Sequence, residues 1–231
     1  MNLTKFNLLF SSILFSFALA IYFFIIASSD ESARLWTRYS AHLSFLYLIA
    51  AYSISILKDT FNLDAINNLA INRRYFGLSF SISHSVHLVA LIYFFYTSNE
   101  DPGTVSIIGG GLGYLLMYAM TLTSTDAMVK RIGTKNWKIL HTIGINYLVI
   151  VFFYTFAGSM VGGSLYSIYT VYFLAILIIW TLKIVKFAKS WTRIILCCGF
   201  WFMDLCFFCY GIGLIDEYQL DIFAQQQFFM E

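Results

Sequence analysis

Seven stretches of the chain carry almost no charge and approach the roughly 20 apolar residues that a helix needs to cross ~30 Å of hydrocarbon. They are Phe6–Ala27, Ala41–Leu57, Tyr75–Tyr96, Val105–Leu122, Ile139–Phe156, Leu165–Leu182 and Ile194–Ile215. Inside lipid the backbone has no water to bond, so a single run of this kind is stable only as a helix. The pattern predicts an all-α polytopic membrane bundle of about seven transmembrane helices, the second being the shortest. Only 11% of the residues are charged, against ~25% in a soluble domain, so lipid rather than water is the main solvent. The first run follows Lys5 and ends in the small residues Ala27, Ser28 and Ser29, as a secretory signal does. Its length exceeds the roughly 7–15 residues of a signal core, and it reads as an anchor.

Basic residues sort by membrane side. Lysine and arginine in short loops stay on the cytoplasmic side. Lys5, Lys58, Arg73, Arg74, Lys130, Arg131, Lys135, Lys138, Lys183, Lys186, Lys189 and Arg193 fall on one side, and Arg34 and Arg38 on the other. This places the N-terminus in the cytoplasm and, with seven spans, the tail from Asp216 to Glu231 outside. A net charge of +2, distributed by topology, excludes nucleic acid as a partner. One proline, Pro102, and no linker or repeat imply a single transmembrane domain over residues 1–231, with no flavin or nucleotide module attached.

Ionisable side chains within hydrocarbon are the candidates for chemistry, because burying them is expensive. All four histidines, His42, His84, His87 and His141, lie in or at the edge of these runs. Imidazole can ligate haem iron through one nitrogen while the other is held by a hydrogen bond; it can equally bond across helices in a packed bundle. His84 and His87 share one face of the third span. From Arg74, His87 is about 13 residues in, ~20 Å along a helix, whereas His141 is about one turn beyond Lys138. The two therefore sit at different depths.

The stretch Thr123-Ser-Thr-Asp-Ala-Met128, then Lys130-Arg131-Ile-Gly133, Trp137-Lys-Ile-Leu-His141 and Tyr147, resembles the fourth-to-fifth helix region of the ferric reductase-like transmembrane domain family. It is most similar to the bacterial MsrQ branch, the haem-binding membrane subunit of the periplasmic methionine sulfoxide reductase system. Arg73-Arg74-Tyr-Phe-Gly77-Leu78 with His87 downstream is similar to that branch's entry into its third helix. The resemblance covers roughly residues 40 to 160. It implies a six-helix core plus one, in a bacterial inner membrane, binding haem b between the third and fifth helices and passing electrons to an acceptor. His87 falls on the third-helix ligand and His141 on the first fifth-helix ligand. A second histidine is expected thirteen residues after His141, and Tyr154 stands there instead. His87 would then face Tyr154, a rarer iron ligand; His84 is a second possible compensation, although pairing with His141 would require tilt or a register shift.

Asp204, in the seventh span, reads as a paired or protonated structural residue, or as a group that orients a histidine. Cys206-Phe-Phe-Cys209 and Cys197-Cys198 share that span; buried cysteine packs as a small hydrophobe, and no second C-x-x-C completes a zinc site. Gly109 and Gly113 have the spacing of a close helix contact. Arg73, Arg74 and Lys130-Arg131 would meet anionic lipid or haem propionates. The expectation is a membrane haem b protein that carries electrons from a separate reductase, flavin or quinol to an external redox partner. The alternative is a haem-free scaffold that keeps the helices and has lost the second ligand pair.

Overall fold

The computed structural model describes residues 3–27, 29–61, 63–162 and 167–188. Within them the chain forms α1 (Leu3–Ile26), α2 (Ser29–Phe61), α3 (Asp64–Ile71), α4 (Arg73–Ser98), α5 (Thr104–Leu122), α6 (Asp126–Ile132), α7 (Thr134–Gly162) and α8 (Ile168–Ala188), and no strand. Six of these, α1, α2, α4, α5, α7 and α8, are long and apolar enough to span a membrane, which identifies lipid as the chain's environment. The expected seventh span, Ile194–Ile215, lies outside the described residues, as do Asp204 and the four cysteines.

One expectation is corrected. The second span is not the shortest but the longest helix described, with 33 residues from Ser29 to Phe61. The polar opening that holds Glu31, Arg34 and Arg38 depresses hydropathy without breaking the helix, because it contains no glycine or proline. That opening also packs: Ser32, Ala33, Trp36, Thr37 and Ser40 are buried. The short helices α3 and α6 carry too few apolar residues to register as runs. α6 is defined by its ends, with Thr125 Oγ1 accepting from the Met128 N–H at 3.3 Å and Gly133 leaving at φ +82°, a conformation that favours glycine.

The chain divides into two units, Met1–Phe152 and Phe153–Glu231, with α7 running through the boundary. In the first, α4 packs most extensively on α2, and both pack on α1. The α2–α4 pairing is antiparallel, as its cross-helix bonds show: Ser40 meets His87, Ser44 meets His84, and Arg73 Nε donates to the Ala51 carbonyl at 2.8 Å. At one end of this seam Phe23, Trp36 and Ala90 form an apolar cluster with Leu19, Ala20, Leu35, Val86 and Tyr93 against them. α5 lies beside α4 through Thr121 to Ser81 and Ser85 with Tyr118. α7 reaches α2 through Tyr52, whose hydroxyl donates to Asn146 Oδ1 at 2.8 Å. Tyr147 donates to the Gly109 carbonyl at 2.9 Å, and a Cβ on Gly113 would touch Tyr147 and Leu148, so the expected small-residue contact is made by α7. In the second unit Phe153 stacks on Phe173, and Phe156 meets Tyr169 and Tyr172.

Several hydroxyls inside the spans return to a carbonyl three or four residues back on their own helix, among them Ser12, Thr60, Thr97 and Ser159. This satisfies the hydroxyl hydrogen where no water is present.

Candidate functional site

His84 and His87 are both buried, each at 9% exposure. They lie three residues apart on α4, so one face of the helix presents both rings toward α2, stacked with centroids 5.2 Å apart. Nδ1 of His87 is 3.0 Å from Ser40 Oγ, and Nδ1 of His84 is 3.1 Å from Ser44 Oγ. The two serines are themselves one turn apart on α2.

The proton positions follow from counting hydrogens. A serine hydroxyl has one. Ser40 Oγ also lies 3.0 Å from the Thr37 carbonyl and Ser44 Oγ 2.9 Å from the Ala41 carbonyl, and a carbonyl can only accept. Both bonds at each serine are made at once only if the hydroxyl donates to the carbonyl and accepts from imidazole Nδ1–H. Each histidine then carries a hydrogen on Nδ1 and, as a neutral imidazole, its lone pair on Nε2, the tautomer being assigned by the bonding network. This is the form in which imidazole ligates haem iron while a second group orients the ring, so the donor chemistry of His84 and His87 fits that cofactor.

The walls around this pair are aromatic. The His84 ring stacks with Tyr114 at 4.7 Å and Phe80 at 5.0 Å and is tilted against Phe152 at 5.6 Å. The Tyr114 hydroxyl is buried with no hydrogen-bond partner among the described residues.

His141 is placed differently. Its Nε2 lies 3.3 Å from Thr123 Oγ1, a hydroxyl that donates to the Ala119 carbonyl at 2.8 Å. By the same count Nε2 carries the hydrogen, and the ring rests on Trp137 at 4.3 Å. α7 meets His84 with Phe152, and His141 precedes Phe152 by eleven residues, about 16 Å along the axis. The difference in depth read from the sequence is thus present, and the structure does not bring His141 to the height of the His84–His87 pair. Tyr154 belongs to the second unit and is 47% exposed. Arg74 is paired with Asp126 at 2.8 Å on the surface. His42, on α2, lies beside the Tyr39 ring at 5.7 Å. Among the described residues no group of three or more His, Cys, Asp or Glu forms a metal cage.

Comparisons with known proteins are sparse. No family model and no solved structure matches the chain. It is similar to the magnetosome protein MamZ of Magnetospirillum gryphiswaldense, with 30% identity over 124 residues. That alignment takes in 50% of this chain and 19% of MamZ, so the chain spans about a fifth of that relative.

Ser40, Ser44 and Tyr114 are the site residues that inspection of the histidines alone misses. A signal for the serines exists: hydroxyls four apart on one span and imidazoles three apart on the next-but-one helix are matched to pair across an antiparallel seam.

Proposed function

We propose that this chain is a membrane haem b protein of the ferric reductase-like type, which moves electrons within or across the bilayer to an acceptor. The observation that carries this reading is the pair of serine–histidine hydrogen bonds, because it sets the hydrogen of two imidazoles inside the membrane-spanning bundle on Nδ1 and leaves Nε2 as the nitrogen with the lone pair. His87, with His84 one turn away as its alternative, and His141 are the residues of this chain that would hold haem iron. Bound haem would supply one-electron chemistry between ferric and ferrous iron. The chain's own part is to present the imidazole nitrogen, to hold its ring by the serines, and to exclude water with Phe80, Tyr114 and Phe152. For His141 to ligate through Nε2, the contact with Thr123 has to open. Tyr154, aligned with a histidine in the family, and Arg74, suited to a propionate, complete the residue set of the proposal.

The accompanying topology has seven spans, a cytoplasmic N-terminus and an external tail, in a bacterial inner membrane. Electrons would come from a separate reductase, a flavin or quinol, and leave to an external redox partner. The close aromatic packing of the His84 ring favours the second reading, a haem-free scaffold that keeps the helices. One spectrum separates the two. Protein purified in detergent from haem-replete cells is expected to give a b-type Soret and α band in the dithionite-reduced minus oxidised difference, lost in His87→Ala. A flat trace with no pyridine haemochrome overturns the haem reading and leaves the scaffold.

A further inference from the structure

Arg38 lies on α2 within the candidate span Glu31–Phe61, and two atoms of its guanidinium, Nε and Nη2, are buried with no hydrogen-bond partner among the described residues. The other arginines of the seam are engaged: Arg73 Nε donates to the Ala51 carbonyl, and Arg74 Nη1 to Asp126. Arginine does not lose its proton in proteins, so this edge of Arg38, in a residue that is partly buried as a whole, cannot escape the cost of burial by neutralising. A cation in a span is held only with a partner, usually an anion or backbone carbonyls.

The identity of the two atoms narrows the partner. The Nε–H and the outer Nη2–H point the same way from one edge of the planar group, and this edge forms two parallel hydrogen bonds with the paired oxygens of a carboxylate or phosphate. A halide or a single carbonyl would meet only one of them. Arg38 is also two residues from Ser40, which holds His87. We propose that Arg38 anchors a binding site for an oxyanion of the carboxylate or phosphate type, taken side-on by Nε and Nη2. A haem propionate and an anionic lipid phosphate both have this chemistry; only the first source rests on the haem reading.

The test uses the full chain and the variants Arg38→Met, which removes the charge at similar length, and Arg38→Lys, which keeps the charge and lacks the fork. Without added ligand, Arg38→Met is expected to unfold at or above the wild-type temperature; a clear fall would mean that the guanidinium already has a partner and would overturn the proposal. With ligand, wild type is titrated with haemin and with haemin dimethyl ester, and its unfolding temperature is compared in phosphatidylglycerol and phosphatidylcholine nanodiscs. A preference for haemin over the ester of about tenfold or more, as a charge-assisted pair gives, absent in Arg38→Met and reduced in Arg38→Lys, identifies the propionate. Equal haemin and ester binding, with a phosphatidylglycerol stabilisation that disappears in Arg38→Met, identifies the lipid phosphate. If wild type takes up neither haemin nor ester, the haem reading fails and the nanodisc arm alone decides the site. Variants indistinguishable from wild type toward every probe overturn it.

Discussion

Each serine–histidine pair of the seam joins an atom that must give a hydrogen to one that can only take it. Replacing Ser40 by alanine removes the hydroxyl that holds the His87 Nδ1–H and leaves the neighbouring Thr37 carbonyl as an acceptor, so the imidazole can satisfy itself by rotating or by exchanging tautomer. Either change moves the Nε2 lone pair. Loss of such an orienting partner typically lowers metal affinity 10–100-fold, so Ser40→Ala is expected to weaken haemin binding by about that factor, with Ser40→Thr retaining most of it. Ser12→Ala is the control, since Ser12 is equally buried and its hydroxyl serves only the Leu9 carbonyl. Equal haem affinity in Ser40→Ala and wild type would refute the orienting role. The histidines are legible in the sequence because an ionisable group in an apolar run stands out. Their serines are not, because a hydroxyl in a membrane helix usually bonds its own backbone, as Ser12 and Ser159 do, and only the register of two helices distinguishes Ser40 and Ser44.

Helix by helix, what the chain's pattern conveys depends on whether lipid or protein faces the residue. α1, α4, α5, α7 and α8 follow runs of apolar residues and match their expected spans to within a few residues, because propensity, hydropathy and backbone satisfaction all demand the same structure. α2 departs, since its first turns are buried against other helices instead of lipid and tolerate charges that a hydropathy argument reads as a boundary. α3 and α6 escape because they are short, and α6 is held at its ends. For α6 the consequence is measurable. Thr125→Ala removes the hydroxyl that accepts from the Met128 N–H and is expected to cost about 0.5–2 kcal/mol of local stability. Amide exchange should accelerate at Met128 and its neighbours while α4 and α5 are unchanged; unaltered exchange in α6 would show that the cap contributes nothing.

For the whole molecule, the spans and the sorting of lysine and arginine make one topology testable without any cofactor. With the N-terminus inside, alkaline phosphatase fused after Asp101 is expected to be active and fused after Arg131 inactive, with the reverse for a fluorescent reporter that folds only in the cytoplasm. Opposite activities would invert the assignment while leaving the helices as they are. The six spans among the described residues are readable from the chain because lipid imposes a strong, local rule. Which histidines share a level was only half readable: depth follows from counting along a helix, but the partner across the bundle depends on tilt and packing. Phe152 therefore meets His84 at the height where a partner imidazole would be sought. The unequal spacing of the two serines and two imidazoles has one more effect. Sliding α2 past α4 by a turn would set Ser44 against His87 and bring Leu48 to His84, stranding a ring N–H against a hydrocarbon side chain. The seam is thus keyed like a lock with one seating, and any motion that accompanies function has to occur at the helices around it.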